Sequence, residues 1–193
     1  MPPKIQYAKE QIIDAAIEIV RRDGPEALNA RAVAKQLGCS TQPVFREFES
    51  MAALKDAVIA KAYGIYEAYI LRHCAQAEKP YKAAGTAYIR FAGEEKALFK
   101  LLFMRDRRKE THEYADGNLE LYLREISRTL GVSRETAYAF HIRMWIYTHG
   151  MAVMTATDYL HFTDEQVSLF LMEEFTALKE RFGDKDEQYH RNQ

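Results

Sequence analysis

Within Arg31–Leu54, RAVAKQLGCSTQPVFREFESMAAL, an apolar seam of Val33, Ala34 and Leu37 runs into Gly38 and resumes at Val44 and Phe48. That pattern predicts two short helices joined by a tight turn, a helix-turn-helix. Upstream, Ile12, Ala15, Ala16, Ile19 and Val20 share one stripe of a helix over Gln11–Arg22, at the i, i+3, i+4 spacing. Asp23-Gly24-Pro25 ends it, because Gly accepts a left-handed conformation and Pro cannot continue the hydrogen-bond ladder. Asn29 is the expected N-cap of the second helix and Ser40 of the third, with Pro43 tolerated in its first turn. Val44 and Phe48 then face inward. Thr41, Gln42, Pro43, Phe45 and Arg46 are left near the exposed N-terminal side.

In such a unit the N-terminal part of the second helix meets base edges while its neighbours hold phosphates. Gln pairs bidentately with adenine, Arg with guanine or a phosphate, and Thr with either. The helix N-terminus adds amides that attract a phosphate. The residues expected at duplex DNA are therefore Asn29, Arg31, Ser40, Thr41, Gln42, Pro43, Phe45 and Arg46.

These residues also carry a likeness. IIDAAIEIVRRDG, VAKQLGCS and VFREFES followed by ALKDAV resemble, in order and spacing, the N-terminal domain of the TetR family of bacterial transcriptional regulators over Ile12–Val58. In the C-terminal half, YIRFAGEEKALFKLLF and WIYTHG resemble the WHG type of ligand-binding domain found in part of that family. The chain departs from the family pattern at Phe45, where Tyr is usual, and at Met51, where Lys is usual; both usual residues donate to phosphate. Thr41-Gln42 stands where Lys-Gly is common, Cys39 where Val is, and Glu47 lies beside the expected DNA surface.

Charge points the same way. Across residues 1–60, Lys4, Lys9, Arg21, Arg22, Arg31, Lys35, Arg46 and Lys55 are balanced by Glu10, Asp14, Glu18, Asp23, Glu26, Glu47, Glu49 and Asp56. Phosphate neutralisation supplies nearly all non-specific DNA affinity, so this segment predicts poor binding to random DNA and a shallow salt dependence.

The remainder reads as all-α. Pro and Gly are few, no two-residue alternation persists, and 193 residues suffice for one domain with a good core or for one small and one medium domain sharing a helix. Ser50 is expected to cap a long helix to about His73, with Leu54, Ala57, Val58, Ala62, Ile65 and Tyr69 inward. Helices follow over Tyr81–Glu94, Ala97–Met104 and Glu113–Leu130, the last stopped by Gly131. Arg105, Arg107, Arg108 and Lys109 read as a solvated loop between them. Ser133 caps a helix over Arg134–Ala156, and Thr163 with Gln166 forms a capping box for one ending near Phe182. The expected organisation is a helix-turn-helix domain over residues 1–50, a helical ligand-binding and dimerisation domain over 51–182, and a polar, disordered tail over 183–193.

The resemblance implies that the last two helices form a four-helix bundle with a two-fold mate. Ala152, Val153, Val167, Phe170, Leu171, Glu174, Phe175 and Leu178 are the residues expected in that homodimer interface. Two heads about 34–36 Å apart then read a palindromic operator on one face of the DNA. The second domain is crowded with rings. Tyr66, Tyr69, Phe91, Phe99, Phe103, Tyr122, Met144 and Trp145, with the polar His141 and Thr148, are expected to line a mostly apolar pocket for a small hydrophobic or aromatic effector. Its binding would move the heads off groove spacing and release the operator, as a repressor requires.

No Gly-rich phosphate loop, GxSxG elbow or HExxH occurs, so neither enzyme activity, a cofactor nor a metal is expected. No stretch reaches the ~20 apolar residues that span a bilayer, and a cytoplasmic protein without a Cys39–Cys74 disulfide is expected. A second reading is an all-α small-molecule-binding or enzymatic protein whose helix-turn-helix is only a packing unit.

Overall fold

The computed structural model describes residues 7–106, Arg108 and 118–191, with side chains of the last helix as far as Phe182. Among these residues every regular element is helical: α1 (Lys9–Asp23), α2 (Ala30–Leu37), α3 (Gln42–Glu47), α4 (Met51–Cys74), α5 (Pro80–Glu94), α6 (Lys96–Phe103), α7 (Leu119–Leu130), α8 (Arg134–Ala156) and α9 (Asp164–Arg191). The chain divides into two compact units. One holds the described residues through Ala68 together with Glu94–Asp106, and the other holds Tyr69–Gly93 and the described residues after Arg107.

In the first unit, all five apolar residues expected on the inner stripe of α1 are buried. Gly24 ends α1 at φ +87°, its N–H donating to the Val20 carbonyl at 2.9 Å. Asn29 caps α2, its Oδ1 accepting from the Ala32 N–H at 3.0 Å. Gly38 takes the left-handed conformation at φ +67°, and the Cys39 N–H returns to the Ala34 carbonyl at 2.9 Å. This satisfies carbonyls that the helix end leaves open. Val44 and Phe48 are 1% and 3% exposed, so the short α3 is anchored from below.

The expected cap of α3 is off by one. Thr41, not Ser40, is the N-cap, and its side chain makes no capping bond because its backbone has already turned helical (φ −71°, ψ −12°). Ser50 does cap α4, its Oγ accepting from the Ala53 N–H at 3.2 Å.

The division between units falls inside α4, beyond the boundary expected at residue 50. The physical reason is burial. Leu54, Val58 and Ala62 of α4 are wholly buried in the first unit, as are Leu98, Phe99 and Leu102 of α6, which packs on α1. The Arg21 guanidinium fastens that pairing with two hydrogen bonds to the Glu95 carboxylate, at 2.8 and 3.0 Å. These bonds hold the Arg21 pKa above its ordinary value.

The second unit is built from α5, α7, α8 and α9 with the last turns of α4. Its core includes Phe91, Phe140, Leu123, Ile126, Ala137 and Ala152. Gly93 lets α5 approach α8 closely: a Cβ there would stand 3.2 Å from the Thr155 methyl. Ser133 caps α8, accepting from the Thr136 N–H at 3.2 Å. The Thr163–Gln166 capping box is complete, each side chain accepting from the other residue's N–H. The helix described here as α7 begins at Leu119, the expected residues 113–117, with Arg107 and Lys109, lying outside the described residues. And α9 continues to Arg191 instead of stopping near Phe182, where the sequence suggested a disordered tail.

Candidate nucleic-acid interface

The exposed stripe of α3 is the candidate site. With Val44 and Phe48 buried beneath it, the helix presents Gln42, Phe45 and Arg46, at i, i+3 and i+4, to solvent. Arg31 near the start of α2 and Ser40 in the turn are exposed, while Thr41 and Pro43 are half-buried at the entry to α3. Seven of the eight expected residues are thus open to a ligand in whole or part. The eighth, Asn29, is exposed but committed to the fold: besides its capping bond, its amide nitrogen donates to the Ala27 carbonyl at 3.0 Å.

Intramolecular ion pairs engage several of the cations of this unit, leaving fewer of them open to phosphate. Arg46 Nε lies 3.1 Å from the Glu47 carboxylate. Arg22 pairs with Asp23 at 2.8 Å, Arg21 with Glu18 and Glu95, and Lys61 with Asp14 at 3.1 Å. Among the described residues of this unit, Lys9, Arg31, Lys35, Lys55 and Lys100 stand outside these ion pairs. Lys9 was missed in the sequence because it precedes the first apolar stripe. Its ammonium sits 5.1 Å from the centroid of the Phe48 ring, just after α3. Tyr7, also missed, donates its hydroxyl to the Leu37 carbonyl and ties the entering chain to the end of α2. With six residues, α3 carries little macrodipole with which to hold a phosphate.

The ten residues expected around an effector do not form one set. Tyr66, Phe99 and Phe103 belong to the first unit, where Phe103 meets the other two rings at 5.2 and 5.1 Å. Tyr69, Phe91, Tyr122, His141, Met144, Trp145 and Thr148 belong to the second. Phe91 and Phe99 are completely buried, as core rings are. Trp145 is the reverse, 42% exposed and stacked on His149 at 4.9 Å. A cleft of about 480 Å³ in the first unit, among Leu28, Lys55, Ile59, Leu101 and Met104, takes in none of the ten.

Two tyrosine–histidine pairs organise the polar interior of the second unit. The Tyr81 hydroxyl hydrogen-bonds His141 Nδ1 at 3.1 Å, and two turns further along α5 the Tyr88 hydroxyl meets His149 Nδ1 at 2.9 Å. His141, nearly buried, forms a triangle of rings with Tyr81 and Tyr122, 5.9 and 5.7 Å away. Burial pushes the Tyr81 phenol well above its ordinary pKa and the His149 imidazole below its own. Tyr81 was missed because it opens a helix directly after Pro80, although its i+7 relation to Tyr88 marks a shared face. Thr148, buried beside Gly85, donates to the Met144 carbonyl at 2.7 Å.

Of the eight residues expected at a dimer interface, Ala152, Val167, Leu171 and Leu178 are at most 6% exposed within a single chain. Phe175 packs on Phe140 at 5.1 Å. These five serve the chain's own core. Val153, Phe170 and Glu174 are half-buried, and the most exposed large apolar side chains of α8 and α9 are Tyr138, Trp145, Ile146 and Met154 and Leu169 and Met172.

Residues 12–58 match the family of bacterial regulatory proteins named for TetR, and residues 81–177 match the tetracyclin repressor-like C-terminal domain. The chain belongs to the TetR family. It has the fold and both domains of a TetR-family transcriptional regulator, and the DNA-binding helix-turn-helix of that family is the segment described above. The C-terminal match carries no WHG designation. Solved structures agree on the fold. A Rhodococcus sp. RHA1 protein of unknown function shares 20% identity at a TM-score of 0.72, covering 93% of this chain and 100% of that one. A TetR family member from Streptomyces coelicolor A3 shares 17% identity at 0.62, covering 86% of this chain and 96% of its own. A search among curated proteins finds no match.

Proposed function

We propose that this TetR-family chain is a repressor that binds a palindromic operator as a homodimer and is released by a small hydrophobic or aromatic effector. The observation that carries the reading is the outward stripe Gln42–Phe45–Arg46 on an anchored, six-residue α3 that follows a capped helix and a left-handed Gly38. Arg31, Ser40, Thr41 and Pro43 complete the DNA surface, while Asn29 holds the start of α2. The effector occupies the second unit, with Tyr81–His141 and Thr148 as polar anchors among Tyr122, Met144 and Phe175. Dimerisation uses the exposed apolar side chains of α8 and α9, starting with Ile146 and Met172. The protein acts in the cytoplasm and is not an enzyme.

The charge balance of the first unit favours one competing reading, a helix-turn-helix that no longer reads DNA. Arg31→Ala combined with Gln42→Ala separates the two. Under the repressor reading, affinity for the operator collapses while dimerisation and effector binding persist. Under the other, no DNA is bound before or after the substitutions.

A further inference from the structure

We propose that Phe45 reads the C5-methyl group of a thymine in each half-site, making an apolar contact a main source of operator specificity. This inference rests on the reading of α3 as the helix that enters the major groove.

A lone exposed Phe needs no explanation on a protein surface. The position of this one is what matters. Phe45 is 50% exposed while both residues beneath it, Val44 and Phe48, are buried, so α3 holds the ring outward on a fixed base. It sits between Gln42, one turn earlier on the same stripe, and Arg46, whose Nε is engaged by Glu47. Phe45 lacks the hydroxyl by which a Tyr there would reach phosphate, so only the ring face is left to the groove, and among the groups that base pairs display in the major groove only the thymine methyl is apolar. Phe has no donor or acceptor with which to choose any other edge. Gln42 meanwhile suits the N6 and N7 of adenine. Together they select a half-site rich in A·T pairs at the positions they touch, without drawing on phosphate charge.

The test uses the duplex enriched from random sequence by the full-length protein. Each thymine of a half-site is replaced in turn by deoxyuridine, which keeps the base pair and removes only the methyl. At one position, binding by the unsubstituted protein weakens about fourfold per half-site, and about fifteenfold when both half-sites are changed, as burial of one methyl predicts. Phe45→Ala, which leaves Val44 and Phe48 in place and is checked for fold by circular dichroism, binds the thymine duplex more weakly and no longer distinguishes it from the deoxyuridine form. Placing 5-methylcytosine at that position restores part of the affinity for the unsubstituted protein alone. Indifference of the unsubstituted protein to every deoxyuridine replacement overturns the inference, as does a penalty that survives in Phe45→Ala. If no duplex is enriched at all, the DNA-reading role fails first and the inference falls with it.

Discussion

The Glu47 carboxylate lies 3.1 Å from Arg46 Nε, on the helix meant to enter the groove. An acceptor so close to the guanidinium lowers its value as a phosphate partner and repels the DNA backbone itself. Few phosphate contacts remain. The logarithm of operator affinity against the logarithm of salt is therefore expected to have a slope well short of −8 for the dimer, since each neutralised phosphate contributes about −0.9. Glu47→Gln releases Arg46, raises affinity for random DNA and steepens the slope by about one per head. A slope of about −8 or steeper in the unsubstituted protein contradicts this account.

Asn29 is a cap before it is anything else. Asn29→Ala removes the bond to the Ala32 N–H and is expected to cost about 1 kcal/mol in urea unfolding. The salt slope of DNA binding should stay unchanged. A shallower slope with undiminished stability would reassign Asn29 to phosphate contact.

Tyr81→Phe removes the hydroxyl that meets Nδ1 of the nearly buried His141 and is expected to destabilise by about 1 kcal/mol, the typical net contribution of one hydrogen bond. The same burial sets a pH dependence. The folded-state pKa of Tyr81 is raised, so its contribution is intact below the unfolded value of about 10 and is lost as pH rises through the folded one. His149 has the opposite sign. Its folded pKa is lowered, so its contribution is present above about 6.5 and is lost as pH falls through the folded value. Urea midpoints measured from pH 8 to pH 5 should decline, and the decline should flatten in His149→Gln.

Ile146 and Met172, at 60% and 52%, are the most exposed of the large apolar residues described on α8 and α9. Ile146→Asp or Met172→Asp is expected to yield monomers in analytical ultracentrifugation with helix content unchanged. A dimer that tolerates both substitutions places the interface elsewhere.

What the sequence made legible is local. Gly24, Gly38 and Gly131 sit at the positive-φ helix ends where their freedom from a Cβ is needed, and Asn29, Ser50, Ser133 and Thr163–Gln166 form the expected caps. Each depends on a few neighbouring residues. The difficulties arose where a helix is apolar on more than one side. On α8, Ala152 is expected at a subunit interface and Trp145 in a pocket, yet the first is buried within the chain and the second is exposed. Periodicity marks an apolar face without saying which chain covers it, so Val167, Leu171 and Leu178 read as an interface although they fill the chain's own core. The same blindness joined Phe99 and Phe103 to rings of another unit, and it passed over Tyr81, whose partner lies 60 residues away in the chain. Exposure on a short anchored helix is itself a local property, whereas a pocket is made by elements distant in sequence.

The most direct measurement is selection of random duplex DNA by the purified full-length protein at moderate salt, followed by sequencing of the bound fraction. The account predicts an enriched palindrome whose half-sites lie one helical turn, about 10 base pairs, or a multiple of it apart, with A·T pairs at fixed positions. A bound fraction no different from the starting pool would contradict it.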